Sequence, residues 1–257
     1  MIFIEMNARS HALRMNVSFN VLLPEQSAEN GGGAPEHYKT LYLFHGLGGN
    51  HADYVRKTCI ERYAADHNIA VVMPEVSRSW YTDTAYKSGY LTFVSEELPR
   101  ICRSCFKGMS DKREDNMVGG MSMGGYGALK VALTPPESFG YCFALSGALD
   151  ITRDGRPYTL EEWQANFGFD LKDAAELKGS KHDIFALAQQ NRDAGVPFPK
   201  LFLWCGTEDT LVTVNDRFHQ HLVNLNVEHG YETSEGTHTW KWWDKHTENA
   251  LNYLLSE

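Results

Sequence analysis

The segment Gly120-Met121-Ser122-Met123-Gly124 sets a serine between two glycines, each two positions away. A serine hydroxyl attacks a carbonyl at neutral pH only if a neutral imidazole takes its proton, a carboxylate holds that imidazole in one tautomer, and donors receive the oxyanion. The short pattern can arise by chance, so its setting has to decide. Asn116 to Met121 reads as a buried apolar strand and Gly124 to Leu133 as a small-residue helix, the strand-turn-helix setting that presents the Ser122 hydroxyl at a strand end. The glycines remove the β-carbons that would collide in so sharp a turn, and the helix N-terminus adds partial positive charge beside a developing oxyanion. A glycine-rich turn whose serine merely caps a helix is the weaker reading in that setting.

Eleven histidines could serve as the base. In a strand-turn-helix arrangement of this kind the acid and then the histidine follow the serine, each from a loop at the C-terminal edge of the sheet. Asp209 follows the apolar run Leu201 to Gly206, where the acid belongs, with Glu208 as its neighbour and rival; Asp209 could also cap the next helix. His238 lies in a small-residue loop after the strand-like Tyr231 to Ser234 and before Trp240-Lys241-Trp242-Trp243. His246 falls in the last helix, His229 beside a strand, and His219 and His221 in a helix two positions apart, where they cannot share a face; these read as surface or packing residues. No HExxH spacing is present and the helical spacing of His219 and His221 does not suit a metal, so neither a metal nor another cofactor is expected.

A second glycine-rich turn, His45-Gly46-Leu47-Gly48-Gly49-Asn50, follows the strand-like Leu41 to Phe44. It offers the Leu47 amide as one oxyanion donor, with the Met123 amide as the other. His45 reads as a residue that orients this loop. A phosphate cradle would need a Gly-Lys-Ser/Thr ending or GxGxxG spacing, and neither occurs.

Short apolar runs bounded by turn residues alternate with helical periods, which predicts an α/β fold with a mainly parallel central sheet and helices on both faces. Helices are expected over 53–67, 90–106, 124–133, 215–226 and 240–255. The stretch 151–199 breaks the rhythm and reads as a cap-like insertion above the sheet, with helix starts at Thr159 with Glu162 and at Ser180 with Asp183. A length of 257 residues suits one domain over 1–257. Lysine and arginine number 24 against 33 acids, a net charge of −9 that disfavours a nucleic-acid partner. No apolar run of membrane-spanning length occurs, and the first residues lack the pattern of a secretion signal. Five cysteines, an odd number set mostly in apolar runs, suit a reducing compartment. The expectation is a cytoplasmic chain, with a homo-oligomer left open.

The motifs at 45–50, Ser79-Trp80-Tyr81-Thr82-Asp83, Glu96-Glu97-Leu98-Pro99, 120–127, Cys205-Gly206-Thr207-Glu208-Asp209 and His238-x-Trp240-x-x-Trp243-Asp244 together resemble the esterase D-like α/β-hydrolases over nearly the whole chain. Within that group they are most similar to bacterial tributyrin or acetyl esterases and to feruloyl (cinnamoyl) esterases. The resemblance implies an α/β-hydrolase fold, Ser122, Asp209 and His238 as catalytic residues, and Leu47 and Met123 as amide donors, the positions already reached from the residues. It implies a serine carboxylesterase acting on small esters through an acyl-enzyme. An S-formylglutathione hydrolase-like thioesterase is the rival, although those enzymes typically carry a cysteine near positions held here by Gly48 and Gly49. Thr239 stands where relatives often have Asp after the histidine. A non-catalytic binding protein on the same scaffold is the reading from another class. Trp80, Tyr158, Trp163, Phe167 and Trp240 are the candidate substrate contacts, and each could equally be core.

Overall fold

The computed structural model describes residues 1–25, 37–134, 136–153 and 159–256. Eight strands form one sheet: β1 (Ile2–Ser10), β2 (Met15–Leu23), β3 (Thr40–Phe44), β4 (Ala70–Pro74), β5 (Asn116–Met121), β6 (Tyr141–Leu145), β7 (Lys200–Gly206) and β8 (Gly230–Ser234). Their order is β1-β2-β4-β3-β5-β6-β7-β8. The pairs β1–β2 and β2–β4 are antiparallel and every later pair is parallel. The central strands β3, β4 and β5 are buried at every position, as parallel strands covered on both faces must be, and this is why they read as unbroken apolar runs.

Nine α-helices are present among the described residues: α1 (Asp53–Lys57), α2 (Ile60–Asp66), α3 (Tyr90–Thr92), α4 (Leu98–Cys105), α5 (Met123–Leu133), α6 (Leu160–Phe167), α7 (Ile184–Asp193), α8 (Val212–Asn224) and α9 (Trp240–Leu255). Residues of α4, α5, α7 and α8 join the core on one face of the sheet, and those of α1, α2 and α9 the core on the other. Every residue of α5 is buried, Lys130 included, so its apolar character runs all the way round.

Three expected elements differ. The helix over 53–67 is divided, because Thr58 is extended (φ −137°, ψ 171°). The helix over 90–106 contains a π-helical stretch, Phe93–Glu97, immediately before Pro99. Proline has no N–H and its ring crowds the preceding turn, and a widened turn relieves both problems. The buried Glu97 carboxylate at that point accepts from the Ser10 hydroxyl and from the amides of His11 and Ala12, which ties the β1–β2 turn to the helix.

Within the expected insertion over 151–199, the second helix start differs. Helix α7 packs against α5 and α8 and supplies the crossover from β6 to β7. Asp183, not Ser180, caps it, accepting from the amides of Phe185 and Ala186. Thr159 does cap α6, accepting from the Glu162 amide at 3.2 Å.

Candidate active site

β5 delivers the chain to Ser122, whose φ of 54° and ψ of −118° are rare for a residue with a β-carbon. The surrounding backbone holds it there. The Ser122 N–H donates to the Leu145 carbonyl at 3.0 Å, and its own carbonyl accepts from the amides of Gly125, Tyr126 and Ala148. The flanking glycines are required by close approach: a β-carbon on Gly120 would meet the Gly124 backbone at 2.6 Å, and one on Gly124 would strike the Phe44 carbonyl. Glycine at both places lets the turn press against the end of β3, which brings the loop after β3 beside the serine.

Asp209 lies in the turn after β7 and His238 in the loop after β8, the two neighbouring strands at the sheet's far side. His238 Nδ1 lies 2.9 Å from Asp209 Oδ2, and Nε2 lies 3.0 Å from Ser122 Oγ. An ionised carboxylate only accepts, so Nδ1–H donates to Asp209 and Nε2 is left to accept from the serine hydroxyl. Asp209 also accepts from the Leu211 amide at 2.8 Å. Burial pushes the Asp209 carboxyl up, but the hydrogen bonds from His238 and Leu211 outweigh it and hold the group below the usual carboxylate range.

Glu208, the sequence rival, performs a different task. Its Oε2 accepts from the Gly236 amide at 2.7 Å while its own N–H donates to the Gly236 carbonyl at 3.0 Å, and the Thr207 N–H donates to Ser234. These bonds join the acid-bearing turn to the histidine-bearing loop.

On the other side of the serine, the Gly46 carbonyl accepts from the Gly49 amide at 3.0 Å and from His45 Nδ1–H at 2.8 Å. His45 Nε2 accepts from the Val76 amide at 3.2 Å, so the ring is neutral, and its burial lowers its proton affinity further. In a trans peptide the Leu47 N–H is antiparallel to the Gly46 carbonyl, so whatever anchors the one aims the other. A β-carbon on Gly46 would lie 2.6 Å from Met121 Sδ and 3.4 Å from Ser122 Cβ, which measures how near this loop comes to the serine.

A cavity of about 370 Å³ opens at this point, lined by the 46–49 loop, Asp53, Lys57, Met121, Ser122, His238, Thr239, Trp240 and Trp243. Lys57 Nζ pairs with Asp53 at 3.0 Å and lies 5.0 Å from the Trp240 ring centre. The arrangement can deliver a serine oxygen to an acyl carbon with a proton acceptor already in contact.

A family model described as "Putative esterase" matches residues 10–254. The chain belongs to this esterase family. It is 33% identical over 262 residues to an acetyl esterase of Caldicellulosiruptor saccharolyticus, covering 99% of this chain and 98% of the relative. Among solved structures it is similar to the fluorophosphonate-binding serine hydrolase F of Staphylococcus aureus, with a TM-score of 0.89, 32% identity, and coverage of 100% of this chain and 99% of the other. It is also similar to an S-formylglutathione hydrolase from Staphylococcus aureus, with a TM-score of 0.87, 32% identity and 99% of each chain covered. The protein is a serine carboxylesterase with the α/β-hydrolase fold.

Within the esterase, the five candidate substrate contacts separate. Trp240 stands in the cavity wall. Trp80 and Trp163 are buried and pack edge to face at 5.1 Å, with the half-buried Phe167 on Trp163 at 4.9 Å, and none of the three is among the residues that line the cavity at Ser122. Tyr158 lies outside the described residues. Asp53, Lys57 and Trp243 were missed as cavity residues, although Asp53 and Lys57 show the i, i+4 spacing of an ion pair just after the 45–50 loop. His219 and His229 bond each other at 2.8 Å, His221 Nε2 lies 2.9 Å from the Phe185 carbonyl, and His246 stacks on Trp204, so these four histidines are engaged elsewhere. No helix among the described residues is long and apolar enough to cross a membrane.

Proposed function

We propose that the esterase hydrolyses small, short-acyl esters through an acyl-enzyme formed on Ser122. His238 takes the serine proton as Oγ attacks and gives it to the departing alcohol. Asp209 holds the imidazole in the required tautomer and stabilises it when charged. The amides of Leu47 and Met123 hold the oxyanion. The observation that carries this reading is the unbroken contact from Asp209 Oδ2 through both nitrogens of His238 to Ser122 Oγ. The anchored Gly46 carbonyl supports Leu47 as a donor, and the start of α5 at Met123 supports the other. No step of this sequence requires a cofactor.

The cavity volume suits a small ester, and the relative described as an acetyl esterase supports a short acyl group. The S-formylglutathione hydrolase likeness keeps a thioesterase as the second reading. Against it, Gly48 and Gly49 line the cavity, so that wall carries no thiol. Initial rates on p-nitrophenyl butyrate, an acetylated sugar, methyl ferulate and S-formylglutathione separate the two. Preference for S-formylglutathione over every oxygen ester would overturn the ester reading. Near-wild-type turnover by a folded Ser122→Ala variant would overturn the mechanism.

A further inference from the structure

Among the residues that line the cavity at Ser122, two carry a full charge, Asp53 and Lys57, at the two ends of α1. Their accessibilities differ. The Asp53 side chain is 11% exposed and lies against the 46–49 loop, where a β-carbon on Gly49 would strike its Oδ2, whereas the Lys57 side chain is 41% exposed. The ammonium donates to Asp53 Oδ1 at 3.0 Å and lies 5.0 Å from the Trp240 ring centre, so two neighbours fix its place while an N–H remains for a third. The charge that this cavity offers to an incoming molecule is therefore positive. Beyond Ser122 and His238, its other side chains are Leu47, Met121, Thr239, Trp240 and Trp243, which supply apolar surface and one hydroxyl. Such a lining is a poor match for a polyol, whose several hydroxyls would leave water without finding partners. It matches an apolar body with a single anionic end.

We propose that Lys57 determines specificity, and that the preferred esters carry a carboxylate which its ammonium binds while Trp240 and Trp243 cover the apolar part of the molecule. The inference rests on the ester-hydrolysing reading given above and narrows its substrate class. A charge-assisted hydrogen bond is roughly twice as strong as a neutral one, and here the donor is held in place before the substrate arrives. Asp53 acts in two opposed ways. It anchors the ammonium, and its own negative charge repels the anion, so neutralising Asp53 should sharpen the preference. The carboxylate belongs either to the acyl or to the alcohol part of the ester, and two substrate pairs separate these sources.

Monomethyl glutarate places the charge on the acyl part and 4-acetoxybenzoate places it on the alcohol part, each compared with the neutral amide of the same shape. Wild-type kcat/KM is expected to be higher for the carboxylate member of at least one pair. For that member Lys57→Met should lower kcat/KM about tenfold more than for the amide, mainly through KM, because the ammonium binds substrate without touching the reacting carbon. Lys57→Arg should keep the preference and Asp53→Asn should increase it. The double variant Asp53→Asn, Lys57→Met leaves no bare carboxylate to repel the substrate and should still lack the preference. Preference for the amide in both pairs, an equal fall for both members in Lys57→Met, or a preference restored in the double variant overturns the proposal. Failure of the wild type to hydrolyse any of the four counts against the ester reading instead. Binding then decides the matter without turnover: by calorimetry, monomethyl glutarate should bind Ser122→Ala about tenfold more tightly than Ser122→Ala with Lys57→Met, and equal binding overturns the proposal.

Discussion

Glu208 and Gly236 bind each other twice, the Gly236 amide donating to the Glu208 carboxylate at 2.7 Å and the Glu208 amide donating to the Gly236 carbonyl at 3.0 Å. Gly236 precedes His238 by two residues and Glu208 precedes Asp209 by one, so this clasp sets how the two catalytic loops meet. Glu208→Ala should therefore lower kcat about tenfold with KM little changed, the loss of one charge-assisted hydrogen bond. Glu208→Gln keeps an acceptor and should recover much of that. Steady-state kinetics on p-nitrophenyl acetate distinguish this from a solvated loop charge, whose removal would leave kcat unaltered.

The strained backbone at Ser122 separates activity from stability. Ser122→Ala and Ser122→Gly should both lose at least about a thousandfold in kcat/KM. Only glycine relieves the positive φ, so Ser122→Gly should be more stable than Ser122→Ala by about 1 kcal/mol or more. Thermal unfolding of the pair reads that difference, and equal Tm values would show the strain to be absent.

The depressed Asp209 carboxyl makes part of the stability depend on pH. The folded state binds its proton less readily than the unfolded chain, so the contribution is fully present above the ordinary carboxylate range and disappears as pH falls through the lower folded value. Asp209→Asn removes that dependence. Unfolding free energies of wild type and variant should differ by a constant amount near neutrality and converge below about pH 4; a constant difference down to pH 2 would contradict this.

Lys130 is fully buried on α5, with Nζ 3.0 Å from His182 Nδ1, and burial lowers its pKa to about 7. Below that value the folded state carries a buried charge that the unfolded chain solvates, and the cost fades as pH rises towards the ordinary lysine value. Lys130→Met should stabilise the fold by about 1–3 kcal/mol at pH 6 and by less at pH 9. Thr82 Oγ1, 3.2 Å from the same nitrogen, remains to donate to His182. Denaturant unfolding at the two pH values tests it, and a destabilised variant at pH 6 would refute it.

Trp240 stands with Trp243 in the wall of the cavity, and Lys57 lies over the Trp240 ring. Trp240→Ala should raise KM for p-nitrophenyl butyrate several-fold while kcat for p-nitrophenyl acetate changes little. Trp163→Phe, a change in the buried cluster, should instead lower Tm without altering KM.

The nucleophile, acid and base candidates were legible in the sequence because each depends on a local constraint. Gly120 and Gly124 mark a turn too tight for β-carbons, Asp209 follows an apolar run at a strand end, and His238 lies in a small-residue loop after the strand-like Tyr231 to Ser234. The central strands β3, β4 and β5 were legible because burial on both faces demands unbroken apolar residues. What tertiary structure decided is which side chains meet. Trp80, Trp163 and Trp240 are chemically alike, yet two are core and one faces the cavity, since exposure depends on packing between segments distant in the chain. Glu208 reads locally as a loop charge and becomes a clasp only when β8 pairs beside β7. The break at Thr58, the π-helical turn before Pro99 and the role of α7 as a crossover were hidden for the same reason. A helical period states that a segment can be helical, whereas where it bends and what it packs against are set by contacts the period does not contain.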